Sequence, residues 1–185
     1  MRDLGVVIDS CLTIADHVSA ICRSGYFQLC QLRPVARSLT ADTANTIVHA
    51  FIACRLNYCN SLLHGITDSL FQRLQSVQNA AARLITGTWQ RDHITLVLRD
   101  LHWLPVWRRV DYKLALLVYK SLHGLAPFYL ADDCILASSD KYCRVCIKPT
   151  LTHALSRCGP PDLELRRPDT ELGEFRQLLK TFLFA

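Results

Sequence analysis

The residues best suited to chemistry in this chain lie in Tyr129-Leu130-Ala131-Asp132-Asp133. Two adjacent aspartates at a strand turn, joined by a third acid from far upstream, can hold a pair of divalent metals. Such a pair stabilises both the attacking and the leaving oxygen of an in-line displacement. The surroundings argue against that use here. Gly124-Leu125-Ala126-Pro127 reads as a helix end and the start of a short helix, not as a hairpin. Upstream, only Asp9 sits at the edge of an apolar, strand-like run. The pattern favours two solvated acids closing a short helix, and no catalytic residue is assigned.

Cys143-x2-Cys146-x6-His153-x4-Cys158 is the second constellation. Two thiolates two residues apart can clamp one side of a zinc ion, and a histidine and a third cysteine can complete a tetrahedron. Lys141, Arg144, Lys148 and Arg157 would suit single-stranded nucleic acid beside it. A compact knuckle has a tighter Cys-to-His gap with glycines inside, whereas this gap holds Pro149. Chance spacing in a chain with nine cysteines is the preferred reading, so no metal and no cofactor is expected.

Cations form the third group. Arg109, Lys113 and Lys120 share one face of a predicted helix and, with Arg108, could meet phosphates. Asp111 dilutes that patch, and a solvated face is the plainer explanation. Arg73 and Arg83 fall on the polar flank of an earlier helix. Trp103 and Trp107 flank Pro105 and could stack on bases, although aromatics at a helix start more often pack on a neighbour. His49, His64, His93, His102 and His123 have no adjacent nucleophile, and the chain has neither a phosphate-binding glycine loop nor a nucleophile elbow.

Composition sets the outer limits. Half of the 185 residues are apolar and 20% are charged, which suits a packed domain and excludes global disorder. No apolar run approaches the roughly 18 residues that span a bilayer. The start, Met1-Arg2-Asp3, leads into too short an apolar run for a signal peptide. The expected chain is soluble and intracellular, nuclear or cytoplasmic, and not secreted. The net charge of +5 mildly favours an anionic partner, with most of the excess in the last third. Reduced thiols are expected, with Cys22, Cys30, Cys54 and Cys59 acting as small buried hydrophobes.

These residues need elements to position them. Leu4-Gly5-Val6-Val7-Ile8-Asp9 predicts one strand. A helix follows, with Asp16 as N-cap, Val18, Ile21, Tyr26 and Leu29 along it, and Pro34 as its stop. A second helix begins at Thr40 or Asp42 and aligns Ala44, Val48, Phe51 and Arg55, with Ile47 and Ile52 widening the stripe. Asp68 caps a third, lined by Leu70, Leu74, Val77, Ala81 and Leu84 and closed by Gly87. A short helix covers about residues 92–100, and the longest helix runs from Pro105 to near Gly124. Glycines and prolines break every element after Ala137 until a last helix over about 170–182, with Leu172, Phe175, Leu179 and Phe182 at helical spacing. The expected fold is mainly α: a helical bundle with one short N-terminal strand and an irregular C-terminal third. Its division is a helical domain over 1–137, a linker over 138–169 and a C-terminal helix over 170–185.

Four segments give this chain a resemblance. They are Leu4-Gly5-Val6-Val7-Ile8-Asp9 with Asp16-His17-Val18, then Leu56-Asn57-Tyr58-Cys59-Asn60-Ser61, then Leu74-Gln75-Ser76-Val77-Gln78-Asn79-Ala80-Ala81-Ala82-Arg83-Leu84-Ile85, and Leu101-His102-Trp103-Leu104-Pro105-Val106 with Asp111-Tyr112-Lys113. Together they resemble the region downstream of the catalytic palm in reverse transcriptases of LINE-type, non-long-terminal-repeat retrotransposons. The resemblance covers roughly residues 3–137 and returns at Glu171 to Phe184. Asn57 replaces an aspartate of that pattern, and Lys141 to Asp162 departs from a basic, serine-rich stretch.

The resemblance implies a thumb-like helical bundle, with the catalytic palm preceding residue 1. A thumb grips template-primer through backbone contacts that carry no base information. Arg73, Arg83, Arg108, Arg109, Lys113 and Lys120 are the candidates for that grip. The implied partners are RNA or an RNA–DNA hybrid and the missing palm, with no membrane. The implied function is a catalytically inactive, non-enzymatic remnant. The alternative is a helical protein-interaction or self-associating module without nucleic-acid binding, including a retroelement-derived reading frame under no selection. In that case Val6, Ile8, Phe51 and Leu63 are expected on an exposed apolar surface.

Overall fold

The computed structural model describes residues 2–10, 13–36, 38–133 and 171–184. It is mainly helical, as the apolar spacing requires. The expected linker, including Cys143, Cys146, His153 and Cys158, lies outside the described residues.

The N-terminal strand is Val6–Val7 (β2), paired antiparallel with Arg2–Asp3 (β1) across a turn at Leu4 and Gly5. Both turn residues have positive φ, 45° and 85°, which matches the twist of a two-residue hairpin. Two long-range bonds dock this hairpin. The Tyr58 hydroxyl donates to the Leu4 carbonyl at 2.5 Å, and Nδ1 of the buried His17 accepts from the Val7 amide at 3.4 Å.

Helix α1 (Ala15–Ala36) carries Asp16 in its first turn, not as a cap, and runs past Pro34. Proline costs least near an end, and only two residues of α1 follow it. At 22 residues α1 is therefore longer than the 17-residue helix that follows Pro105, reversing the expected order. Its buried side is Val18, Ile21, Cys22, Gly25 and Leu29, while Tyr26 turns to solvent. Gly25 is the reason for that choice of face. A Cβ there would sit 2.6 Å from Val77 Cγ1, so the missing side chain lets α1 approach α4.

Helix α2 (Ala41–Val48) is capped by Thr40, whose hydroxyl accepts from the Thr43 amide at 3.3 Å. It passes into a π-helical turn, His49–Ala53, and then into α3 (Cys54–Asn57). The wide turn changes the phase of the buried stripe. Ordinary helical spacing aligns Ala44, Val48, Phe51 and Arg55, but the structure buries Ala44, Val48, Ile52 and Leu56 and exposes Phe51 and Arg55. Of the cysteines described, only Cys22 is buried; Cys30 and Cys54 are exposed, which corrects the expectation of buried thiols. Val6 and Leu63 are likewise buried within the chain, whereas Phe51 is exposed and Ile8 half-buried.

Helix α4 (Asp68–Thr86) is the central strut, touching α1, α2, the π turn and α5 (Ile94–Asp100). Thr67 occupies its cap position, Asp68 is its first helical residue, and Gly87 closes it with φ 67°. Leu74, Val77, Gln78, Ala81 and Ala82 are its buried side. Helix α6 (Val106–Leu122) and the short α7 (Phe128–Asp133) come next, and α8 (Leu172–Phe184) ends the chain.

The chain forms two compact units, Met1–Arg109 and Val110–Ala185. In the second, the Tyr119 ring of α6 stacks on His123 at 3.9 Å and on Phe175 of α8 at 4.1 Å. Phe175, Leu179 and Leu183 are the buried face of α8. Among the described residues no helix is long and apolar enough to cross a membrane.

Candidate nucleic-acid interface

The polar geometry of the first unit converges on the segment between α5 and α6. Helix α5 ends in a Schellman closure: His102 takes φ 54°, its amide donates to Arg99, and the Trp103 amide reaches back to Leu98 at 2.8 Å. A histidine in that left-handed position is uncommon, since the conformation favours glycine. The closure turns the chain so that the Leu104 carbonyl faces α4.

Two glutamines of α4 receive it. Gln78, fully buried, donates Nε2 to the Leu104 carbonyl at 2.8 Å. One turn earlier, Gln75 accepts from the Val106 amide at 2.9 Å, satisfying an otherwise orphaned donor at the start of α6. Gln75 Nε2 is held in turn by Asn79. Arg109 approaches from the other side. Its Nε donates to the same Leu104 carbonyl at 2.8 Å, and Nη1 donates to Asn57 Oδ1 at 3.2 Å. The guanidinium also lies 5.8 Å from the Trp103 ring centre. Burial pushes the Arg109 pKa down to about 10.

These contacts sort the candidate cations. Arg109 is a structural bolt: its Nε donates to Leu104 and its Nη1 to Asn57. Arg73 is exposed and donates to Ser19 of α1 at 3.1 Å, so it marks the α1–α4 seam. Arg83 is half-buried and donates to the Gln90 carbonyl at 3.4 Å. Arg108 lies over the Trp107 ring at 4.9 Å. Lys113 is exposed and Lys120 half-buried on α6, in the second unit. Arg73 and Arg83 thus serve different edges of α4 and do not form one cluster.

The tryptophans sort in the same way. Trp103 is buried and closed to a base, and Trp107 is half-buried beneath Arg108. Trp89, which the apolar pattern gave no reason to single out, is 81% exposed. The signal that could have found it is an aromatic in a polar connection, Gly-Thr-Trp-Gln-Arg-Asp-His, between a closing glycine and the next helix.

The Leu130-Ala131-Asp132-Asp133 segment ends helix α7 and is not a strand turn; the side chains of both aspartates lie outside the described residues. Asp9 accepts from the Thr13 amide at 2.8 Å and from its hydroxyl, which holds its carboxyl below the ordinary carboxylate range. Among the described residues no three of His, Cys, Asp and Glu gather as metal ligands. Comparisons with protein-family models, curated proteins and solved structures returned no match to this chain.

Proposed function

We propose that this chain is the thumb-type helical region of a LINE-type reverse transcriptase, catalytically inactive by itself, which binds template-primer nucleic acid through its backbone. One observation carries the reading. Three separate segments that resemble that family converge around the Leu104–Val106 turn, with Asn57 joined to it through Arg109. The segment over 74–85 supplies Gln75 and Gln78, the segment over 56–61 supplies Asn57, and the segment over 101–106 supplies Leu104 and Val106. Motifs far apart in sequence that close on one another behave as parts of one structural unit.

Phosphate contact falls to the exposed cations, with Arg73 and Lys113 the best placed. RNA or an RNA–DNA hybrid is the expected partner, alongside a reverse-transcriptase palm, and the setting is nuclear or cytoplasmic. Salt-dependent retention of an RNA–DNA hybrid on the purified chain tests binding. Primer extension with magnesium or manganese tests inactivity, where template-dependent product would overturn the reading.

A second reading rests on Leu122, Leu125, Phe128 and Tyr129, exposed apolar residues close together in sequence in the second unit. They favour a protein-interaction or self-associating module. Concentration-dependent oligomers, with no nucleic-acid binding at low salt, would select it.

A further inference from the structure

We propose that the turn between α4 and α5 presents Trp89 as a stacking platform for an unpaired base of single-stranded nucleic acid. This rests on the nucleic-acid reading above and assigns it a site that the candidate cations do not include. Isolated exposed apolar residues are ordinary. What distinguishes Trp89 is how firmly the turn is held around it.

Arg83 ties the turn at two points. Its carbonyl accepts from the Gly87 amide at 2.9 Å, and its guanidinium donates to the Gln90 carbonyl at 3.4 Å. Between those points the turn closes on itself. The Trp89 amide donates to Asp92 Oδ2 at 3.0 Å, and the Asp92 amide donates to the Trp89 carbonyl at 3.1 Å. The indole therefore stands on a hydrogen-bonded turn and is the most exposed aromatic side chain among the described residues.

Charge selects the occupant. Across the turn, from Arg83 to Asp92, the chain holds two cations, Arg83 and Arg91, and a single acid, Asp92. One oxygen of that carboxylate, Oδ2, accepts from the Trp89 amide. An exposed aromatic face in a turn of net positive charge is the combination that binds a single strand: the ring stacks a base of any identity while the cations meet the phosphates. A duplex keeps its bases stacked on one another and offers the indole little.

The test uses the full chain as wild type, Trp89→Ala and Trp89→Phe, with short single-stranded RNA and DNA oligonucleotides and an RNA–DNA hybrid across a salt series. Because Trp89 is exposed, both variants should keep the wild-type melting temperature. Trp89→Ala should weaken single-strand binding roughly tenfold, the effect of losing one base stack, while leaving the salt slope unchanged because no phosphate contact is lost. Trp89→Phe should retain most of the affinity, and hybrid binding should be unaffected. Single strands should quench the tryptophan emission of wild type more than that of Trp89→Ala. Equal single-strand affinity in Trp89→Ala overturns the platform and leaves the nucleic-acid reading standing. An equal loss on the hybrid overturns the single-strand assignment. Wild type that binds no nucleic acid at low salt overturns both. Self-association abolished by Trp89→Ala, with oligonucleotide affinity unchanged, identifies a protein contact and overturns the platform.

Discussion

Two polar side chains, the buried His17 and the half-buried Arg109, carry distinct and measurable consequences. His17 Nδ1 accepts from the Val7 amide, so the ring must be neutral, and burial lowers its pKa below the ordinary histidine value. The sign follows from linkage: below about pH 6.5 the unfolded chain takes up a proton that the folded chain resists, so stability falls with pH through that window. Urea midpoints measured from pH 8 to 5 should show the fall, and His17→Gln, which keeps an acceptor but no titrating group, should flatten it. Arg109 makes the complementary point that charge alone is not enough. Arg109→Lys keeps the cation but cannot span both Leu104 and Asn57. It should cost about 1–3 kcal/mol in chemical denaturation, the loss of a hydrogen bond from a charged donor.

The elements show where sequence patterning suffices and where it fails. Helix α4 was legible because regular spacing, an acid in its first turn and a closing glycine all agree over nineteen residues. The stretch from Ala41 to Asn57 was legible only as far as Val48, since a π turn leaves no mark that a 3.6-residue ruler detects. Gln78 escaped for a related reason. Periodicity identifies which face is buried, but it cannot show that Nε2 of a fully buried glutamine donates to a carbonyl 26 residues away. The sequence shows the residue types of the candidate site but not their surroundings: Arg109 is half-buried against Leu104 and Asn57, and Trp89 stands exposed. Gly25 gives the sharpest test at this scale. Gly25→Ala should destabilise by about 1–3 kcal/mol through overpacking against Val77, despite alanine's better helix propensity. Val77→Ala in the same chain should relieve part of that cost, a coupling that a double-mutant cycle reads directly.

For the whole molecule, under the proposed nucleic-acid function, the division of cations between structural and exposed roles predicts how affinity responds to salt. Arg73→Ala and Lys113→Ala should each lower the salt slope by about one, with little change in melting temperature, as expected when a single phosphate contact is lost. Arg109→Ala should lower the melting temperature first. The wide turn at His49–Ala53 has a consequence for chain length itself. Removing Ala50, which is exposed, would bring Ala44, Val48, Ile52 and Leu56 to intervals of four, three and four, the natural rhythm of an uninterrupted α-helix. The shortened protein should therefore keep its interior and match or exceed the parent in thermal denaturation, which would mark that alanine as a tolerated insertion whose removal the fold can absorb.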